Sequence, residues 1–391
     1  MKLPKRLLAA SGKKQPVLKT HWHAAIDEHY ISALKWSHSG QYLAAASAEG
    51  PIGIFDGSSG NWVHTLSGHN LGTLAIDWHP TLDTLASGGQ DGKIRLWDAS
   101  TGDSLGTLEG GGMWVERIAW SLLPASSTRV LRGRSTATPE SIPAPDSPLL
   151  LASTAGKLLR LWNTDGTLVR ETRDHTSTIA DIAWIPANAP LKKQHKLEDR
   201  TSPAPVLVCA TYGGLTLWRT DCDDPIGRYT WKGSTLVIAC SPNGQFIATG
   251  DQDSTVHFWI TRTELDLQMW GYPTKVRELA WDPTSRYLAT GGGSVVTVWD
   301  CSGKGPEGRQ PSQLDVHEGQ IVALAFQHRG MYLASACSDG LVAIWAVGRS
   351  KSPVAKLRFD AAISQLSWSP DDKLLAVGTE RGDVAVLSMI Q

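Results

Sequence analysis

The sequence predicts an all-β protein in which a four-stranded antiparallel unit is repeated eight times and closed into a ring. Residues 67–98, SGHNLGTLAIDWHPTLDTLASGGQDGKIRLWD, show the unit most clearly. Three short β-rich stretches, TLAIDW, TLAS and KIRLWD, each end at turn-forming Gly, Pro, Asn or Asp residues, as antiparallel strands should. The end of the first stretch recurs at Trp36, Trp78, Trp120, Trp184, Cys240, Trp281, Phe326 and Trp368. The end of the third recurs at Phe55, Trp97, Trp162, Trp218, Trp259, Trp299, Trp345 and Leu387. These two series absorb twelve of the 17 tryptophans, so the unusual Trp content belongs mostly to the fold.

A fourth, more polar strand separates consecutive units: NWVHTL, DSLGTL, TLVRET, IGRYTW, LDLQMW, SQLDVH and VAKLRF. The last unit lacks one before the chain ends, and PVLKTHWHA near the start supplies it. A ring whose last unit joins both chain ends has no open sheet edge.

This pattern resembles the WD40 repeat. The resemblance rests on Gly68-His69 and Trp97-Asp98, with partial copies at Asp174-His175, Trp299-Asp300 and Phe55-Asp56. It spans about residues 16–391 and implies a WD40 β-propeller of eight four-stranded blades, the N-terminal strand joining the C-terminal blade. The expected organisation is a flexible segment at 1–15 and one propeller domain at 16–391. Two inserts, at about 122–147 and 187–203, swell the turn between first and second strands; neither has an apolar pattern of its own. The second carries Lys192, Lys193, Lys196 and Arg200. Both are expected to be mobile, with a secondary docking role for an acidic partner as one reading and a passive loop as the other.

Charge excludes some functions. Lys plus Arg number 37 against 38 acidic residues, which argues against bulk attraction to nucleic acid or an anionic membrane. The five cysteines are far apart with no CxxC pair, and read as reduced thiols in a reducing compartment. No apolar run is long enough for an export signal or a membrane span. The expectation is a cytoplasmic protein, a monomeric propeller within a complex.

His69, Ser87 and Asp91, and again His317, Ser335 and Asp339, have the residue types of a hydrolase triad. The resemblance assigns them instead to a structural network: Asp orients His, His meets Ser, and Ser meets the indole N–H of Trp97 or Trp345. One spacing occurring twice is what a repeat requires and an active site does not, and no nucleophile elbow accompanies either copy. Other units keep only parts of the network: Trp231 and Tyr272 stand at the His position, and His175 with Trp218 lack the Asp. His21 and His23 share one face of a strand without a further ligand at motif spacing, and Asp221 to Asp224 lack the rest of a calcium loop. No catalytic residue, metal site or cofactor is expected.

Members of the resembled family bind peptides or protein surfaces where the turns leading into first strands emerge. Carried onto this chain, the contact positions include Tyr30, Leu74, Gln90, Trp114, Glu116, Gln252, Lys275 and Arg277. Trp114, Tyr30, Lys275 and Arg277 stand out, because aromatics and Arg dominate interface hot spots. The leading expectation is therefore a non-catalytic scaffold for a peptide or protein partner. The alternative is a nucleic-acid-associated module that grips phosphates with its basic inserts.

Overall fold

The computed structural model describes residues 16–26, 29–122, 149–186, 189–192 and 204–390. The insert positions 123–147, 187–188 and 193–203 and the N-terminal segment 1–15 lie outside the described residues.

Among the described residues every regular element is a strand. β1 (Val17–Ala25) is followed by β2 (Ile31–Trp36), β3 (Tyr42–Ser47), β4 (Ile52–Asp56) and β5 (Trp62–Leu66), of which the last four form one sheet. The next sheet holds β6 (Thr73–Trp78), β7 (Thr84–Gly89), β8 (Lys93–Asp98) and β9 (Ser104–Glu109). Then come β10 (Val115–Trp120), β11 (Leu150–Ala155), β12 (Leu158–Asn163) and β13 (Leu168–Thr172). A larger sheet holds β14 (Asp181–Ile185), β15 (Val206–Arg219), β16 (Gly227–Cys240), β17 (Phe246–Asp251), β18 (Val256–Ile260) and β19 (Leu265–Met269). Two more sheets follow: β20 (Leu279–Trp281), β21 (Tyr287–Thr290), β22 (Val296–Asp300), β23 (Ser312–Leu314), and β24 (Ile321–Phe326), β25 (Tyr332–Cys337), β26 (Leu341–Ala346), β27 (Ala355–Arg358). The last combines β28 (Ile363–Trp368), β29 (Leu374–Thr379) and β30 (Asp383–Ile390) with β1.

β1 pairs antiparallel with β30 from Val17↔Ile390 to Ala25↔Asp383, so the two chain ends share one sheet and close the ring. First strands are ring neighbours in the order β28, β2, β6, β10, β14, β16, β20, β24 and back to β28.

The expectation of eight separate four-stranded blades is corrected to seven: the strands assemble into six sheets of four and one of six. The reason is β16. It runs unbroken for 14 residues, pairing with β15 at one end and β17 at the other. Gly68, Gly111 and Gly271, with positive φ, turn the chain between three pairs of other units, and the connections at 173–180, 315–320 and 359–362 turn without any, whereas β16 does not turn at all. The Trp184/Trp218 and Cys240/Trp259 registers consequently share the six-stranded sheet.

Second strands are buried along most of their length; Leu85 and Ala86, and Leu333 and Ala334, are examples. The first-series tryptophans stitch sheet to sheet. The indole N–H of Trp36 donates to Ser367 O (3.0 Å), Trp78 to Lys35 O (2.9 Å) and Trp184 to Ala119 O (3.0 Å). Trp281 donates to Ala239 O (3.0 Å) and Trp368 to Ala325 O (3.0 Å). In all five bonds the acceptor is the residue just before the matching position of the neighbouring unit. A buried indole N–H needs an acceptor, and the repeat supplies one to these five, whereas the buried indole N–H of Trp120 finds no partner among the described residues.

Candidate functional site

In both triad-like groups the serine and tryptophan stand on neighbouring strands, while His69 and His317 lie in the loops before first strands and Asp91 and Asp339 in the turns between second and third strands. The His69 Nδ1–H donates to Asp91 (2.8 Å), and Ser87 Oγ, 2.8 Å from His69 Nε2, accepts the Trp97 indole N–H at 2.9 Å. Arg95 pairs with Asp91 at 2.8 Å. Burial acts against the Asp91 carboxylate, yet its hydrogen bonds from His69 and Arg95 hold it down at about 2. Burial lowers His69 and keeps it neutral. Ser87 is fully buried, so its hydroxyl cannot meet a substrate.

The second group differs. Trp345 donates to Ser335 Oγ (2.7 Å), which lies 2.7 Å from His317 Nε2. His317 Nδ1, however, faces Cys337 Sγ at 3.0 Å, and the thiol in turn donates to Asp339. Asp339 meets a thiol rather than the imidazole, so the expected direct pair becomes a relay. Sequence comparison of the two units holds the signal: Gly89 and Cys337 both stand two residues after the serine. A Cβ on Gly89 would lie 2.4 Å from His69 Cβ, so the imidazole can sit where it does only beside glycine. With a side chain there, the group must be inserted. A third variant uses Tyr272, whose hydroxyl lies 2.9 Å from Thr290 Oγ1 and accepts the Trp299 indole at 2.9 Å.

The ring's mouth is where the loops leading into first strands emerge. A cavity of about 410 Å³ opens there, reached by β10, the loop before β14, the turn within β15, β16 and the loop before β20. Its lining includes Glu116, Arg117, Thr178, Tyr212, Thr235 and Arg277. Of the eight expected contact residues, this cavity brings together Glu116 and Arg277. Trp114 (51% exposed) and Tyr30 (41% exposed) stand on loops outside its lining. Leu74, Gln90 and Lys275 are half-buried and Gln252 is exposed, also outside it. The backbone N–H of Gln90 bonds Gly72 O in the loop ahead of β6, and that of Gln252 bonds Ser234 O within β16.

Two lining residues escaped the sequence reading. Tyr212, 60% exposed, is presented by the turn ahead of Gly213 and Gly214, both with positive φ. An aromatic before a Gly-Gly turn was the available signal. Arg117 follows Glu116 on β10 and bonds Asp181 Oδ1 of β14 through Nε at 3.0 Å. Burial raises the Asp181 carboxyl while Arg117 pulls it down. Arg277 has no ion-pair partner among the described residues and carries the mouth's open positive charge. Beside it, burial pushes the Glu278 carboxyl up to about 7, Arg277 opposing.

Among the described residues no cluster of His, Cys, Asp and Glu could hold a metal ion, and no helix is long and apolar enough to cross a membrane. His21 instead contacts Ser58 O (2.9 Å) and His23 pairs with Asp383 (3.2 Å).

Comparison with known proteins bears on the fold first. The family profile of the WD domain, G-beta repeat, matches residues 60–98, 227–259, 267–300 and 308–346. The computationally designed Ika8 protein, known from a crystal structure, superposes with a TM-score of 0.70 at 19% identity, covering 92% of this chain and 96% of that one. Among curated proteins, Protein HIR1 of Mycosarcoma maydis is 28% identical over 192 residues, 42% of this chain and 18% of the relative. Protein groucho of Drosophila melanogaster is 27% identical over 46% of this chain and 24% of its own length. Eukaryotic translation initiation factor 3 subunit I of Aspergillus fumigatus is 27% identical over 42% of this chain and 52% of the relative. The matched part thus spans from under a fifth to about half of these relatives. The fold is one typically used as a non-enzymatic scaffold. One repeat, matched four times and folded into a closed ring, places this chain in the WD40-repeat β-propeller family.

Proposed function

We propose that this protein is a non-catalytic interaction scaffold whose mouth takes a segment of a partner protein. The observation that carries this reading is the cavity of about 410 Å³ in which Tyr212 and Arg277 converge from different sheets. An exposed aromatic beside an open guanidinium fits a segment that offers an apolar side chain and a carboxylate. Trp114, Tyr30 and Lys275 extend the contact surface around the cavity. Relatives point the same way: one is by name a subunit of a translation initiation factor, another of the anaphase-promoting complex. We place the protein in the cytoplasm as a monomeric propeller within a complex; fractionation and light scattering of the isolated chain check the two points.

The test captures partners with the intact chain and measures their affinity for variants. Tyr212→Ala and Arg277→Glu each weaken binding by about tenfold or more, the hot-spot range. Trp114→Ala weakens it less, and Lys275→Ala chiefly slows association at low salt. Unchanged affinity for Tyr212→Ala and Arg277→Glu, with unchanged melting, moves the docking site away from the mouth.

A further inference from the structure

A cleft on the outer rim is larger than the mouth cavity. It has a volume of about 650 Å³ and lies between β19 with the following Trp270–Tyr272 and the outer strands β22 and β23. β23 is only three residues long and pairs with β22 from Val296 to Val298, so the rim is not filled by a full outer strand. Residues 301–311 run instead across to the six-stranded sheet. Gly305, at φ +111°, is buried so near Phe258 that a Cβ would sit 3.3 Å from its ring. Arg309 pins the same loop through Ser302 Oγ (2.7 Å), Ser302 O (2.9 Å) and Asp300 (2.9 Å). The cleft is therefore walled by a strapped loop and floored by strands.

Its chemistry is one-sided. Trp270 stands 75% exposed at the edge. Gln268 and Gln310 offer amides suited to the main chain of an extended segment, while Gln313 Oε1 accepts from Thr297 (3.2 Å). Arg309 is occupied by Asp300 and Ser302, and Asp266 by His257 Nδ1 at 2.8 Å. Glu307 remains as a carboxylate with no ion-pair partner among the described residues. The smaller cleft on the other side of the same sheet, about 220 Å³, carries Arg349 and Lys351 instead.

We infer that the cleft of Trp270 and Glu307 is a second docking site, taking an extended partner segment that carries an arginine or lysine. The apolar stem of that side chain lies over the Trp270 indole and its charge meets Glu307, a cation–π contact and an ion pair sharing one group. The mouth, with its open Arg277, takes the opposite charge, so one scaffold holds two segments without competition.

Random linear peptides displayed on phage, selected against the full-length chain, test the inference. Peptides that lose binding to Trp270→Ala are then measured in solution. They carry Arg or Lys beside an apolar residue, weaken more than about tenfold with Trp270→Ala and about fivefold with Glu307→Lys, and bind Arg277→Glu as tightly as the natural chain. Trp270 and Glu307 are both exposed, and matching melting curves confirm that the variants fold. Failure of the mouth reading leaves these results untouched. Recovery of no Trp270-dependent peptide, of peptides without a basic residue, or of peptides indifferent to Glu307→Lys overturns the inference.

Discussion

Residues 67–98 and residues 227–260 occupy the same slot of the repeat and satisfy it by different means. In the first, Trp97, Ser87, His69 and Asp91 form an unbroken chain of hydrogen bonds. In the second, Trp231 replaces the histidine and lies tilted against His257, ring centroids 3.8 Å apart and planes at 39°. The glycine two residues after the hydroxyl is replaced by Asp251, whose carboxylate accepts from Thr235 (2.9 Å) and Thr249 (3.1 Å). Three buried nitrogens, the indoles of Trp231 and Trp259 and Nε2 of His257, find no partner among the described residues. Burial pushes the Asp251 carboxyl up to about 6. The comparison teaches that the propeller tolerates a poorly satisfied unit, because that unit is held on both sides and merged into the six-stranded sheet through β16.

If glycine in the first unit is what lets the imidazole sit against its aspartate, Gly89→Ala breaks the network at its centre. The added methyl collides with His69, and loss of about 3 kcal/mol is expected, at the upper end of overpacking costs. Denaturant unfolding measures it; a loss near zero would show that His69 moves without consequence.

Asp251→Asn makes the opposite change. A carboxyl with a folded pKa near 6, above its unfolded value of 3.8, is disfavoured in its charged form by the fold. Its contribution to stability is therefore best below pH 4 and is lost as pH rises through about 6. The variant should gain about 2 kcal/mol at neutral pH and lose that part of the pH slope. Thermal melts between acid and neutral pH decide it, and an unchanged slope would remove Asp251 as its source.

His317 gives the slope the other sign. Burial lowers it to about 4 from 6.5, so the stability it contributes is complete above pH 6.5 and declines as pH falls through about 4. His317→Gln flattens that limb in the same melts, and an unaltered limb assigns it elsewhere.

The smallest effect is expected of Cys337→Gly. It recreates the Gly89 arrangement, letting His317 meet Asp339 directly, with a net change within about 1 kcal/mol because the lost burial of a thiol offsets the gained bond. A structure of the variant is the check; a His317 that stays away from Asp339 would show that more than the thiol separates them.

Much of this architecture was readable in advance. Strand positions, the two tryptophan series and the pairing of both chain ends follow from period-two alternation and turn residues, which are local properties of the chain. The residues of the His69 network were legible because the repeat holds them at constant spacing. The thiol relay at Cys337 was not, because spacing says which residues recur and not which heavy atom reaches which nitrogen.

Tertiary structure alone decided the rest. Whether two units stay separate or share a sheet turned on the backbone of β16, which runs straight on from its pairing with β15 to its pairing with β17 and so serves both. Tyr212 and Arg277 lie 65 positions apart in sequence and meet only because the ring brings β15 and the loop before β20 to the same lip of the mouth. The rim cleft arises from a strand that stops after three residues and a loop that packs on the neighbouring sheet. Alternation determines which face a side chain takes within its own strand; what stands opposite it depends on how the sheets are set around the ring, and that is long-range packing.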